Sequence, residues 1–219
     1  MKKIILHLCA DTGSDSKPYQ DDPNYEVIRI GKDIGVENYH PPKYVYGVFA
    51  NPPCTHFSSV RTSAKIPRNE EEGMRLVKEC QRIISECNPT FWVIENPATG
   101  LLKKYLGQPR FVYQPWEFGS PWSKKTALWG KFNIPEKKYS KWEDVPKIDG
   151  LYTRPGREKP AMVYMHARRH LKLMSEFACF LDDIVKKPPR IKGGGGGGDM
   201  EFRSLCSQKF AKAFYEVNK

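Results

Sequence analysis

Tyr44-Val45-Tyr46-Gly47-Val48-Phe49-Ala50 is a short aromatic and β-branched run that ends on Asn51-Pro52-Pro53-Cys54-Thr55-His56-Phe57-Ser58. The run has the composition of a strand, and two successive prolines cannot continue one, because each lacks an N–H and holds φ fixed. A second run, Thr90–Ile94, ends on Glu95-Asn96-Pro97. Between them Asn69–Cys87 places Met74, Val77, Ile83 and Ile84 at helical intervals, with Glu70-Glu71-Glu72 where a helix start favours negative charge. Further strands are expected at Lys3–Leu8, Tyr25–Ile30, Arg110–Gln114 and Thr126–Phe132, and a second helix over Thr99–Tyr105 that stops at Gly107. Strands alternating with helices predict an α/β fold with a mostly parallel, doubly wound, Rossmann-like sheet.

Neighbouring parallel strands carry their functional loops at the carboxyl edge of the sheet. Cys54 and Glu95 are therefore expected to face one crevice, a nucleophile beside a proton donor, which suits covalent activation of a pyrimidine ring. A cysteine closing a strand is ordinarily inert packing, but the Pro-Pro corner presents this one at a fixed angle above the sheet edge. Its thiol reacts only as thiolate, so a nearby cation is needed, and Arg61 and Arg68 are the candidates. Asn96-Pro97 gives Glu95 a stiff turn, and partly apolar surroundings would keep that carboxyl protonated near neutrality.

The 219 residues suffice for one domain with a small appended lobe, and 39% hydrophobic with 12% aromatic content is that of a globular chain. Lys2 and Lys3 before Ile4-Ile5-Leu6 mimic a signal peptide, but Asp11-Thr12-Gly13-Ser14-Asp15 follows at once, so a first strand is the better reading. Six scattered cysteines have no CxxC pair and no metal spacing, which reads as reduced thiols in a cytoplasm, with no metal expected. The net charge of +11 favours a polyanionic partner. Residues 137–192 carry 14 Lys and Arg against 7 Asp and Glu. With Tyr139, Trp142, Tyr152 and Tyr164 among those cations, including Arg168-Arg169 and Lys186-Lys187, the segment has the makings of a phosphate-tracking surface. A solvated basic lobe would look similar. Met162–Val185 is expected to be largely helical, the six glycines 193–198 a tether, and Phe202–Val217 a closing helix.

Asn51-Pro52-Pro53-Cys54-Thr55-His56-Phe57-Ser58 and Ile94-Glu95-Asn96-Pro97, in that order and spacing, resemble the nucleophile and Glu-Asn motifs of the DNA cytosine-5 methyltransferases, especially compact phage-type members. Leu8-Cys9-Ala10-Asp11-Thr12-Gly13-Ser14 sits where that family keeps its first cofactor loop. Phe118–Thr126 resembles its Gln-x-Arg-x-Arg region, and Arg203–Asn218 its closing segment. The resemblance implies a class I S-adenosylmethionine-dependent methyltransferase. Its catalytic and cofactor-binding domain would be 1–132 plus 199–219, with a small basic target-recognition region at 133–192. Implied catalytic residues are Cys54, Glu95, Asn96 and Lys124. The cofactor would meet Leu8, Cys9, Ala10, Asp11, Thr12, Gly13, Ser14, Asn51 and Pro52, with Asp33 or Glu37 on its ribose; DNA would meet Ser58, Arg61, Arg68, Lys125, Arg168 and Arg169.

The implied reaction flips the target cytosine into the crevice, adds the Cys54 thiolate to C6 while Glu95 protonates N3, and methylates C5 from S-adenosylmethionine. Loss of the C5 proton and of the thiol restores the ring. Three departures stand out: Asp11 where the family has glycine, lysines 124 and 125 in place of arginines, and Gly31-Lys32 where an acid should follow the second strand. Asn51-Pro52-Pro53 also begins the motif of amino-methyltransferases acting on adenine N6 or cytosine N4, although Cys54 stands where those carry an aromatic residue. A modified sulfonium cofactor, or an RNA or nucleotide substrate, would keep the same covalent chemistry.

Overall fold

Period-2 alternation along the strands decides how the sheet is covered. Leu6, Leu8, Val48, Ala50 and Ile94 lie on one face and pack with Val77, Cys80, Ile83 and Ile84. Ile5, Phe49, Phe91, Val93 and Leu128 lie on the other and pack with Tyr19, Phe210 and Phe214. Each face thus buries its own apolar layer under helices, and the fold is the expected doubly wound, Rossmann-like α/β architecture. The computed structural model describes residues 1–10, 12–59, 67–179 and 200–219. Asp11, Arg61, Lys186-Lys187 and the glycine run 193–198 lie outside the described residues.

Strands β1 (Lys3–Leu8), β2 (Tyr25–Ile30), β3 (Gly47–Ala50), β4 (Phe91–Pro97), β5 (Phe111–Tyr113) and β6 (Thr126–Lys131) form one sheet in the order β2-β1-β3-β4-β6-β5. The pairs among β1 to β4 are parallel, and β6 runs antiparallel to both its neighbours. Around the sheet are α1 (Lys17–Asp21), α2 (Glu70–Cys87), α3 (Lys103–Leu106), α4 (Ala167–Met174), α5 (Met200–Ser204) and α6 (Gln208–Asn218). The register aligns Leu8 with Ala50 and Ala50 with Ile94. The segments that leave β1, β3 and β4 therefore emerge side by side.

The α2 helix starts where Asn69 accepts a hydrogen bond from the Glu72 amide at 3.0 Å, and it ends on Asn88 in the left-handed region at φ 41°. Several expected elements differ. The third strand begins at Gly47 rather than Tyr44, whose side chain is exposed. The fourth strand does not stop at Ile94: Glu95, Asn96 and Pro97 pair with Leu128, Ala127 and Thr126 of the antiparallel β6, which no local pattern announces. The carboxylate is thus fixed inside a paired strand rather than hanging past its end. Only Lys103–Leu106 of the second expected helix forms, because Thr99–Leu102 turns so that the Leu101 amide can bond the Phe57 carbonyl.

Met162–Tyr164 is a 3₁₀ turn and helix begins only at Ala167, since the Met162 amide bonds the Ser123 carbonyl and the Ser123 amide bonds the Pro160 carbonyl across an isolated bridge at Ala161. The part of that predicted helix beyond Cys179 lies outside the described residues. The closing helix is two pieces, α5 and α6, broken at Leu205-Cys206-Ser207. There the Cys206 amide bonds Ser14 Oγ at 3.0 Å and its carbonyl takes the Cys179 amide. Those groups are lost to a continuous helix. A third apolar cluster, with Trp122, Met162, Met165, Met174, Phe202 and Leu205, joins residues of the middle third to α5.

Gly47 is a point of close packing in β3: a Cβ there would stand 2.2 Å from ring atoms of the buried Phe91. Gly47→Ala is expected to lower stability by about 1–3 kcal/mol, read as a fall in the thermal denaturation midpoint against wild type.

Candidate active site

Cys54 opens a 3₁₀ turn, Cys54–His56, directly after the Pro-Pro corner. The turn closes through bonds from the Phe57 and Ser58 amides to the Cys54 carbonyl, and the fully buried Phe57 anchors it. Arg68 donates to the carbonyls of His56 at 2.8 Å and Ser58 at 3.0 Å. The expected thiolate-stabilising Arg68 therefore braces the loop backbone. The cation that acts on the sulfur is Lys124. Burial pushes the Cys54 thiol up, the charge of Glu95 pushes it further, and Lys124 pulls it back. Lys124 is itself tethered, its Nζ donating to the carbonyls of Ser204 at 2.9 Å and Leu205 at 3.2 Å.

Burial raises the Glu95 carboxyl to about 7; Lys124 opposes that rise, the negative charge of Asp15 adds to it, and a hydrogen bond from Asn51 opposes it. Thiol and carboxyl thus feel one another and share one cation, as a common crevice requires. A neutral Glu95 removes the like charge that opposes thiolate formation. Asn96 donates from Nδ2 to the Pro52 carbonyl at 2.9 Å, clamping the Cys54 corner onto β4. Its buried Oδ1 has no hydrogen-bond partner among the described residues.

A second layer behind Glu95 is absent from the sequence reading. Asn51 donates from Nδ2 to Asp15 Oδ2 at 3.1 Å, and its Oδ1 lies 2.9 Å from His7 Nε2. The other ring nitrogen of His7 lies 2.8 Å from Ser16 Oγ. His7 is 1% exposed, one residue before the carboxyl end of β1, and burial lowers its pKa. The available signal was the alternation itself, which puts a polar His7 on the same apolar face as Ile5.

Beside this crevice, at the carboxyl edge of β1 and β2, lies a cleft of about 480 Å³ lined by Ala10, Arg29, Gly31, Lys32, Asp33 and Glu201. Cys9 takes φ 55° and Gly13 φ 66° in the loop above it. Arg29 reaches up to the Ala10 carbonyl at 3.2 Å. Leu8 and Ser14 are fully buried and Thr12 nearly so, with Thr12 and Ser14 hydroxyls 3.1 Å apart. These three shape the loop from beneath. Pro52 is buried as well. Of the two expected ribose acids, Glu37 is committed to Arg75, and Asp33 borders the cleft.

Of the expected DNA contacts, Ser58 has its carbonyl taken by Arg68, whereas Lys125, Arg168 and Arg169 are exposed. Arg169 lies over Tyr152 at 6.0 Å and Arg154 over Tyr164 at 5.1 Å. Trp142 is buried beneath Lys147, which stands 4.0 Å from its ring centre, so it is no open stacking platform.

A "Probable DNA (cytosine-5)-methyltransferase" of Frog virus 3 (isolate Goorha) is 32% identical to this chain over 99 residues. Over that stretch the chain is similar to a protein described as a probable DNA cytosine-5 methyltransferase. The match covers 37% of this chain and 44% of the viral protein, so the chain spans less than half of that relative's length. A solved structure described as a DNA modification methyltransferase encoded within an E. coli prophage superposes with a TM-score of 0.42 at 13% identity, over 71% of this chain and 56% of that one. No protein-family model matches. Among the described residues, no helix is long and apolar enough to cross a membrane.

The raised Glu95 carboxyl makes stability depend on pH. It titrates near 4.5 when unfolded and about 7 when folded. Between those values the folded chain keeps a proton that the unfolded chain has lost. This contribution is therefore full below 4.5, declines as pH rises to 7 and is gone above it. Glu95→Gln is expected to flatten that decline, read as a smaller drop in melting temperature from pH 5 to pH 8 than in wild type.

Proposed function

We propose that this chain methylates C5 of cytosine in DNA through a covalent Cys54 adduct, with S-adenosylmethionine as methyl donor. The observation that carries the reading is the coupling of one thiol and one carboxyl around Lys124, at adjacent parallel strands with a Pro-Pro corner between them. A cytosine carbon is too weak a nucleophile to take a methyl group unaided, and thiolate addition at C6 converts C5 into an enamine-like centre. Glu95 stays protonated close to neutrality, so it can give a proton or hydrogen bond to N3 as the adduct forms. Lys124 offsets the burial that disfavours the thiolate. Asn96 holds the Cys54 corner against β4.

The cleft beside Ala10 fits the donor by size and by chemistry. Pockets for such ligands run to a few hundred cubic ångströms, and this one joins the carboxylates of Asp33 and Glu201 to the cations of Arg29 and Lys32. That set suits a ligand with a cationic sulfonium, a ribose diol and an amino-acid zwitterion. When bound, S-adenosylmethionine supplies an electrophilic methyl group; Asp33 would hold the ribose, and the loop 8–14 with Asn51 and Pro52 would wall the methionine end. We assign the basic segment around Arg168, Arg169 and Lys125 to phosphate contact, with residues 133–192 as the target-recognition region. The amino-methyltransferase alternative needs the Asn51 amide to face a substrate amine, and that amide is occupied by His7 and Asp15.

Incubation with S-adenosylmethionine and cytosine-containing DNA, followed by nucleoside mass spectrometry, is expected to yield 5-methylcytosine. Cys54→Ala is expected to yield none, and an active Cys54→Ala variant or an N4- or N6-methylated product would overturn the reading. Removing the cation should raise the thiol further. Lys124→Gln is expected to slow turnover by roughly ten-fold, the loss of thiolate for one pH unit, with partial recovery at higher pH in a pH–rate series.

A further inference from the structure

The cluster behind Glu95 contains two groups that the proposed reaction does not use. His7 sits next to the carboxyl end of a hydrophobic strand at 1% exposure, and Asp15 follows the loop after that strand. The Asn51 amide links them. Its oxygen lies 2.9 Å from His7 Nε2 and its nitrogen donates to Asp15 Oδ2 at 3.1 Å, while Asn51 also hydrogen-bonds Glu95. An amide oxygen accepts only, so His7 must carry its proton on Nε2 for this contact to be a hydrogen bond. A neutral ring then leaves Nδ1 bare, and the hydroxyl of Ser16, 2.8 Å away, is placed to donate to it. Ser16 Oγ also lies 3.2 Å from the Gly13 carbonyl, so its one hydroxyl proton serves the shorter contact to Nδ1 in this arrangement, which runs from Ser16 through His7 and Asn51 to the two carboxyl groups.

We propose that His7 is a positioning residue for the proton donor: it fixes which end of the Asn51 amide faces Glu95, and Asp15 holds the same amide by its nitrogen. The assignment rests on the reading of Glu95 as the group that protonates the base. Without the Nε2–H donor the amide is free to rotate, turning its oxygen toward two carboxyl groups and removing a donor from Glu95. Without the Asp15 charge Glu95 ionises more readily. Burial raises Glu95, and the other groups that face it are consistent with this division of labour. Lys124, from the segment before β6, favours the ionised form. Cys54 lies on the turn after β3, and Tyr113 of β5 lies close enough to feel the Glu95 charge. Burial lowers the His7 pKa, which keeps the ring neutral as the hydrogen-bond direction demands.

Nuclear magnetic resonance titration of the full chain, labelled at histidine ring nitrogens and glutamate carboxyl carbons and without DNA or cofactor, reads both halves. The expected wild-type result is a neutral His7 protonated on Nε2 and a Glu95 midpoint near about 7. His7→Phe is expected to raise the Glu95 midpoint by about one pH unit and Asp15→Asn to lower it by about as much. His7→Gln, whose amide nitrogen can stand in for Nε2, is expected to restore the wild-type midpoint. A neutral His7 protonated on Nδ1, or an unmoved Glu95 midpoint in either folded variant, would overturn the assignment. These measurements need no turnover. Wild-type protein that makes no 5-methylcytosine yet shows the expected shifts would remove the methyl-transfer reading and leave the hydrogen-bond chain standing.

Discussion

A carboxyl group largely withdrawn from water, inside a paired strand, constrains everything around it. Glu95 cannot sit there as an uncompensated anion, since desolvating a charge is far costlier than keeping a proton. The surrounding residues share the adjustment. Lys124 offers a positive charge, Asn51 offers a hydrogen bond, and Asp15 pushes the other way. The balance leaves the group near its midpoint at neutral pH, where a proton donor is most useful. The same balance governs Cys54, because the thiolate is opposed by an ionised Glu95 and favoured by Lys124. Two reactive groups that answer to one lysine do not titrate independently.

The sheet supplies the geometry for this coupling. Parallel pairing of β1, β3 and β4 brings three departing segments to one edge, and the antiparallel β6 extends β4 far enough to seat Glu95 among paired residues. Clamping follows from short links: Asn96 to the Pro52 carbonyl, Arg68 to the carbonyls of His56 and Ser58, and Lys124 to Ser204 and Leu205. These polar side chains thus hold backbone in place.

Much of this was legible in the residues. Pro52-Pro53 ahead of Cys54, and the apolar run ahead of Glu95, are local patterns, and local patterns report strands and corners well. The doubly wound sheet followed from strands alternating with a helix, whereas the assignment of Leu6 and Leu8 to one face and Ile5 to the other came only with the structure. What escaped was whatever depends on a distant partner. The extension of β4 requires β6, the break at Cys206 requires Ser14, and the diversion of Arg68 to carbonyl groups requires the fold of the loop it braces. The pairing of Glu37 with Arg75, a residue of α2, is likewise something no spacing rule reports. His7 was visible as a polar interruption of a strand, but its role needed Asn51 and Asp15 to be brought beside it.

The bond from the Cys206 amide to Ser14 spans 192 positions of sequence, and the tether of Lys124 ends on the neighbouring carbonyls. Contacts of such separation form late and contribute nothing until both ends are present. On a translating ribosome the first four strands and α2 emerge well before this closing stretch leaves the exit tunnel. Until that stretch is in place Lys124 lacks the two carbonyls that hold its ammonium group, so the cation beside Cys54 and Glu95 is anchored only once residues eighty positions further along have folded against it.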